Sequence, residues 1–116
     1  MTDRLDKINE LIKQEVGKII LKEVDMPKNI LVTITRAKTA PDLKRSTIYV
    51  TALPEQKNQE AMRELDINTF DIQKALNRKL HLKQIPKIDF KIDKQAFAEQ
   101  KIFELLGKNK QEEEID

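Results

Sequence analysis

The 116-residue sequence predicts an α+β domain in the order α-β-β-α-α-β, with helices packed on a three-stranded sheet and one further helix appended. Three observations carry that expectation. Apolar residues recur at steps of three and four near the N-terminus and again through the middle of the chain, the period of an amphipathic helix. Three short stretches instead alternate with a period of two and are rich in β-branched residues, as strands are. The connection between the first two strands is short enough for an antiparallel hairpin.

The first helix covers "DRLDKINELIKQEVGKIILKEV", where Leu5, Ile8, Ile12, Val16 and Ile19 share one face. Asp3 is expected as its N-cap, and Asp6 complements the positive end of the helix dipole. The charges on its outer face nearly balance, which suits a solvated surface. Pro27 disfavours helix in the residue before it and ends the element. "NILVTITRA" alternates Ile30, Val32 and Ile34 against Leu31, Thr33 and Thr35, the first strand. After the polar loop "KTAPDLKR", the second strand "STIYVTAL" sets Ile48, Val50 and Ala52 on one face.

A long helical region, "PEQKNQEAMRELDINTFDIQKALNRKL", keeps Met62, Leu65, Ile72, Leu76 and Leu80 in phase. Within it, Asp66 to Thr69 is rich in weak helix formers that compete for backbone hydrogen bonds, so two consecutive helices with a kink or break are expected. After Pro86, "KIDFKI" alternates Ile88, Phe90 and Ile92 with Lys87, Asp89 and Lys91 as the third strand. "DKQAFAEQKIFELLG" has a weaker helical pattern closed by Gly107, and "KNKQEEEID" is expected to be disordered. The domain division is therefore 1–93 for the folded unit, 94–107 for the appended helix and 108–116 for the polar tail.

Composition excludes several kinds of chemistry. The absence of cysteine rules out disulfides and thiol chemistry, and a single histidine, His81, rules out His-rich zinc sites; neither metal nor cofactor is expected. The two glycines, Gly17 and Gly107, cannot build a phosphate cradle, and Ser46 opens a strand with no histidine near it in sequence. No enzyme and no small-molecule substrate are expected. The charged start "MTDRLDKINE" is not a signal peptide, and no apolar run approaches the roughly 18 residues of a membrane span, so a soluble, cytoplasmic monomer is expected.

With a net charge of only +2, an electropositive site must come from local segregation of charge. Such segregation is present. From Pro54 to Gln73 the acids Glu55, Glu60, Glu64, Asp66 and Asp71 outnumber Lys57 and Arg63. From Lys74 to Lys91 the balance reverses, with Lys74, Arg78, Lys79, Lys83, Lys87 and Lys91 against Asp89 alone. At roughly 100° per residue, Lys74, Arg78 and His81 lie within about 60° of one another, opposite the Leu76 stripe.

The order of elements resembles the type II KH-like fold, and the chain is similar to the bacterial ribosome-binding factor A family. The matching stretches are "INELIKQEVGKIILKEVDMP", "LVTITRAKTAPDLKRSTIYVT", "ALNRKLHLKQIPKIDF" and "IFELL", from about Arg4 to Leu106. The loop "APDL" and the helix exit "LHLKQIP" match family marks. The resemblance implies a non-catalytic assembly factor that binds the small (30S) ribosomal subunit and its rRNA. It implies help in late 16S rRNA maturation around the 5′-terminal helix and neck, and in several members a part in cold adaptation. The family's Ala-x-Gly kink between the central helices is replaced here by Asn68, Thr69 and Phe70, and a later family glycine by Asn77.

On that resemblance and the charge pattern, the residues expected to contact RNA phosphates are Lys74, Arg78 and His81, with Lys83 and Lys87 beyond the helix and Lys44 and Arg45 in the hairpin loop. Asn68 and Thr69 are expected either to contact RNA at the kink or to cap a helix there. The alternative reading is a protein-binding adaptor that docks through Phe97, Ile102 and Leu106 of the C-terminal amphipathic helix.

Overall fold

The fold is taken from a computed structural model, whose described residues are 2–96. Two long helices, α1 (Thr2–Glu23) and α2 (Asn58–Lys79), accompany the strands β1 (Leu31–Thr39), β2 (Arg45–Leu53) and β3 (Lys87–Ile92). A 3₁₀ turn, Glu55–Lys57, leads into α2. The sheet order is β1-β2-β3, with β2 antiparallel to β1 and parallel to β3. A parallel pair needs a crossover connection, and α2 supplies it.

Alternation within the strands decides where the core sits. Ile48 and Val50 of β2 and Ile88 and Phe90 of β3 turn inward onto Ile12, Val16 and Ile19 of α1 and Leu65, Ile72 and Leu76 of α2. α1 lies chiefly against β1 and α2 against β3, and the helices also touch each other. Burial of these branched side chains, worth roughly 1.5–3 kcal/mol each, is the main force holding the layers together. Among the described residues, no helix is long and apolar enough to cross a membrane.

Three expectations need correction. The central helical region is one continuous 22-residue helix, not two. The Asn68 amide donates to the Glu64 carbonyl at 2.7 Å and the Thr69 hydroxyl to the Leu65 carbonyl at 2.8 Å. The side chains expected to break the ladder bond to carbonyls within it, four residues back, and the ladder continues. α1 begins at Thr2, which puts Asp3 inside the first turn rather than at the N-cap. β1 runs on to Thr39 through a bulge that leaves Thr35 unpaired between Ile34 and Arg36. That extra residue shifts the alternation, so that Ala37 and Thr39 face inward after it. The appended helix lies outside the described residues except for its first turn, 94–96, and the polar tail lies wholly outside them.

Candidate functional site

The hairpin loop is built by "APDL". Pro41 suits the second position of a β-turn, and the Leu43 N–H closes the turn onto the Ala40 carbonyl at 2.8 Å. Asp42 accepts the Lys44 N–H at 3.0 Å. Leu43 itself adopts a left-handed backbone, φ 61°, uncommon for a leucine, and packs its half-buried side chain against the core. The turn leaves Lys44 and Arg45 exposed.

Strand pairing then carries the α2–β3 connection to the same place. Lys87 donates its N–H to the Lys44 carbonyl at 3.1 Å, and Arg45 stands opposite Lys87 in the β2–β3 ladder. From the other side Gln73 of α2 fixes the start of β3, accepting the Ile88 N–H at 2.8 Å and donating to the Pro86 carbonyl at 3.0 Å. Lys44 and Arg45 thus form one group with Lys87, which lies more than a third of the sequence away.

The helix face expected to carry Lys74, Arg78 and His81 is only partly realised. Lys74 and Arg78 are exposed, one turn apart on α2. His81 is not on the helix, because Leu80 takes an extended backbone and ends it. His81 and Lys83 instead line a cavity together with Arg4 and Lys7 of α1. Those two α1 cations were missed by sequence reasoning, since only the tertiary fold sets the first turns of α1 beside the α2–β3 connection. Asn68 and Thr69 lie two turns back along α2, half-buried and bonded to its backbone, away from this group.

Electrostatics favours an anion at this end of the molecule. The ion pairs among the described residues are Lys18–Glu15, Arg36–Asp93 and Lys57–Glu60, so none of the cations named above is in direct ion-pair contact with a described carboxylate. Arg78 also lies in the last turn of α2, where a cation complements the helix dipole. Asp89, the one acid of the basic stretch, accepts from the Thr47 hydroxyl at 3.1 Å. Such an array can hold phosphates by charge and hydrogen bonding. Ser46 is fully buried and bonded to Thr39 at 3.1 Å, out of reach of any substrate.

A second polar group lies on the sheet's other side. The Arg36 guanidinium covers the Tyr49 ring at 4.2 Å and pairs with Asp93 at 3.5 Å. Burial opposes the charged form of Asp93. The Thr35 hydroxyl, the Ala96 and Gln95 backbone N–H groups and the Arg36 charge outweigh it and hold the carboxyl below its ordinary 3.8.

Comparison with known proteins adds the following. Residues 4–106 match the family described as ribosome-binding factor A. The ribosome-binding factor A of Chlamydia pneumoniae is 32% identical over 114 residues, covering 96% of this chain and 94% of that protein. That of Halothermothrix orenii is also 32% identical, covering 97% and 93%. The crystal structure of ribosome-binding factor A from Thermus thermophilus superimposes with a TM-score of 0.66 at 22% identity, over 76% of this chain and 93% of that one. A homology model of the Thermus thermophilus factor, fitted into a cryo-EM map of its complex with the 30S subunit, gives a TM-score of 0.61 at 22% identity, over 72% and 88%. These structural likenesses show the α+β, KH-like fold.

Proposed function

The chain belongs to the ribosome-binding factor A family, and we propose that it binds the small ribosomal subunit with the basic end built around Lys44, Arg45 and Lys87. Lys83 and His81 extend that end along the α2–β3 connection, and Lys74 and Arg78 along α2. The observation that carries the reading is the convergence of cations from separate segments with no described carboxylate paired to them. Phosphate contacts of this kind position a protein on folded RNA, and the shape of the rRNA supplies specificity.

The partner this reading assigns is a small (30S) subunit in the cytoplasm, by analogy with the 30S complex into which the Thermus factor was fitted. The chain acts on it as a non-catalytic monomer that assists late 16S rRNA maturation. Asn68 and Thr69 are given a helix-bonding role rather than an RNA contact, since Asn68 Nδ2 and the Thr69 hydroxyl donate to carbonyls of their own helix. The test is sucrose-gradient sedimentation of tagged protein with separated subunits. Co-migration with small subunits alone supports the reading; co-migration with large subunits, or none, contradicts it.

A further inference from the structure

The first turns of α1, the hairpin loop and the α2–β3 connection enclose a cavity of about 460 Å³. That lies within the roughly 300–1,000 Å³ of small-ligand sites. Its apolar lining is Ile8, Leu43, Leu82 and Pro86, its cations are Arg4, Lys7 and Lys83, and His81 and Gln84 complete it. No described carboxylate lines it. Four apolar residues and three cations in one lining suit a ligand with a weakly polar body and an anionic edge.

We propose that this cavity takes one unstacked nucleotide of single-stranded RNA. The base lies against Leu43, Leu82 and Ile8, and the flanking phosphates meet Arg4, Lys7 and Lys83. The inference rests on the rRNA-binding reading and sharpens it, from shape recognition of a folded surface to capture of an unpaired residue. Three facts support this occupant over others. The cations are exposed and unpaired among the described residues, so they are available to phosphate. The cavity is continuous with the basic group, because Leu43 precedes Lys44 in the hairpin loop and Lys83 precedes Lys87 in the α2–β3 connection. Leu43 contributes its side chain to the lining from a left-handed backbone that a leucine rarely adopts. Proteins that read single-stranded RNA commonly splay bases out in this way, and a paired base in a duplex has no free face to offer.

The test uses the full chain with its Ile and Leu methyl groups labelled for NMR, titrated with a short single-stranded RNA and separately with the same strand in a duplex. The single strand is expected to shift the methyl resonances of Ile8, Leu43 and Leu82, whereas the duplex perturbs only amides around Lys44 and Lys87. Lys7→Gln with Lys83→Gln changes two exposed residues and is expected to keep the fold, which the variant's own methyl spectrum checks. It is expected to weaken single-strand binding on the order of tenfold and to lower the log–log salt slope by roughly 0.7 per lost contact. The proposal is overturned if saturating single strand leaves the three methyls in place, or if duplex or an acidic peptide moves them equally. It is also overturned if the double variant binds the single strand as tightly as the parent. Sedimentation of the parent with small subunits separates the two levels. Subunit binding without methyl shifts removes the cavity and keeps the broader reading; absence of subunit binding removes the broader reading, and the methyl shifts alone then judge the cavity.

Discussion

Ile88 donates its backbone N–H to Gln73 Oε1 at 2.8 Å, across the interface between α2 and the start of β3. The same amide donates from Nε2 to the Pro86 carbonyl at 3.0 Å, so one side chain brackets Lys87 on both sides. The bracket determines where β3 starts relative to α2, and with it the position of Lys87 beside Lys44.

Gln73→Leu keeps the volume and removes both partners. Leaving the Ile88 N–H and the Pro86 carbonyl unpaired is expected to destabilise the fold by roughly 1–3 kcal/mol. Urea unfolding measures this, and the Ile88 amide should lose hydrogen-exchange protection more than its strand neighbours. An unchanged midpoint with unchanged protection at Ile88 would contradict the bracket.

The continuity of α2 makes a separate prediction. Because Asn68 and Thr69 bond to carbonyls of their own helix, amides from Asp66 to Thr69 are expected to exchange about as slowly as those of Leu65 and Ile72. A patch of fast exchange confined to those four residues would restore the broken helix that their composition suggests.

Asp93 sets a pH dependence. Its folded-state carboxyl titrates below 3.8, the usual value, so folding favours the charged form. The stability this contributes is complete above the unfolded-state value and is lost as pH falls through the lower folded value. Asp93→Ala removes the acceptor for Thr35 at 2.6 Å and for the Ala96 N–H at 3.0 Å. It should cost roughly 1–3 kcal/mol at neutral pH and flatten the stability curve on its acid side. A variant with the parent's acid limb would contradict this.

How much of this was legible in the sequence follows from the range of the forces involved. The three strands and the core faces of both helices could be read because alternation and helical period are local. The Thr35 bulge could not: its effect, turning Ala37 and Thr39 inward, depends on pairing with Tyr49 and Ile48 on the neighbouring strand. Asp66 to Thr69 misled for the opposite reason, since local preference was read without the carbonyls of the preceding turn. At the candidate site, Lys83 and Lys87 stood out in the basic run from Lys74 to Lys91, whereas Lys44 and Arg45 were reached through the family resemblance together with charge. Arg4, Lys7 and Gln73 did not stand out, because α1 looks balanced along the chain and nothing in sequence marks a glutamine that bonds 15 residues away. His81 was assigned to a helix that stops two residues earlier, at Lys79, with Leu80 already extended.

The most direct test of the central claim is the salt dependence of small-subunit affinity for two charge-matched double variants. Lys44→Gln with Lys87→Gln removes two cations from the basic end. Lys22→Gln with Lys28→Gln removes two exposed cations, Lys22 in the last turn of α1, about 30 Å from its first turn at 1.5 Å per residue, and Lys28 in the connection that follows. The Lys44/Lys87 variant is expected to bind more weakly and to show a log–log salt slope smaller by roughly 0.7–0.9 per lost contact. The Lys22/Lys28 variant should match the parent in both. Equal losses in the two variants would mean that net charge alone attracts the subunit, and would contradict the site.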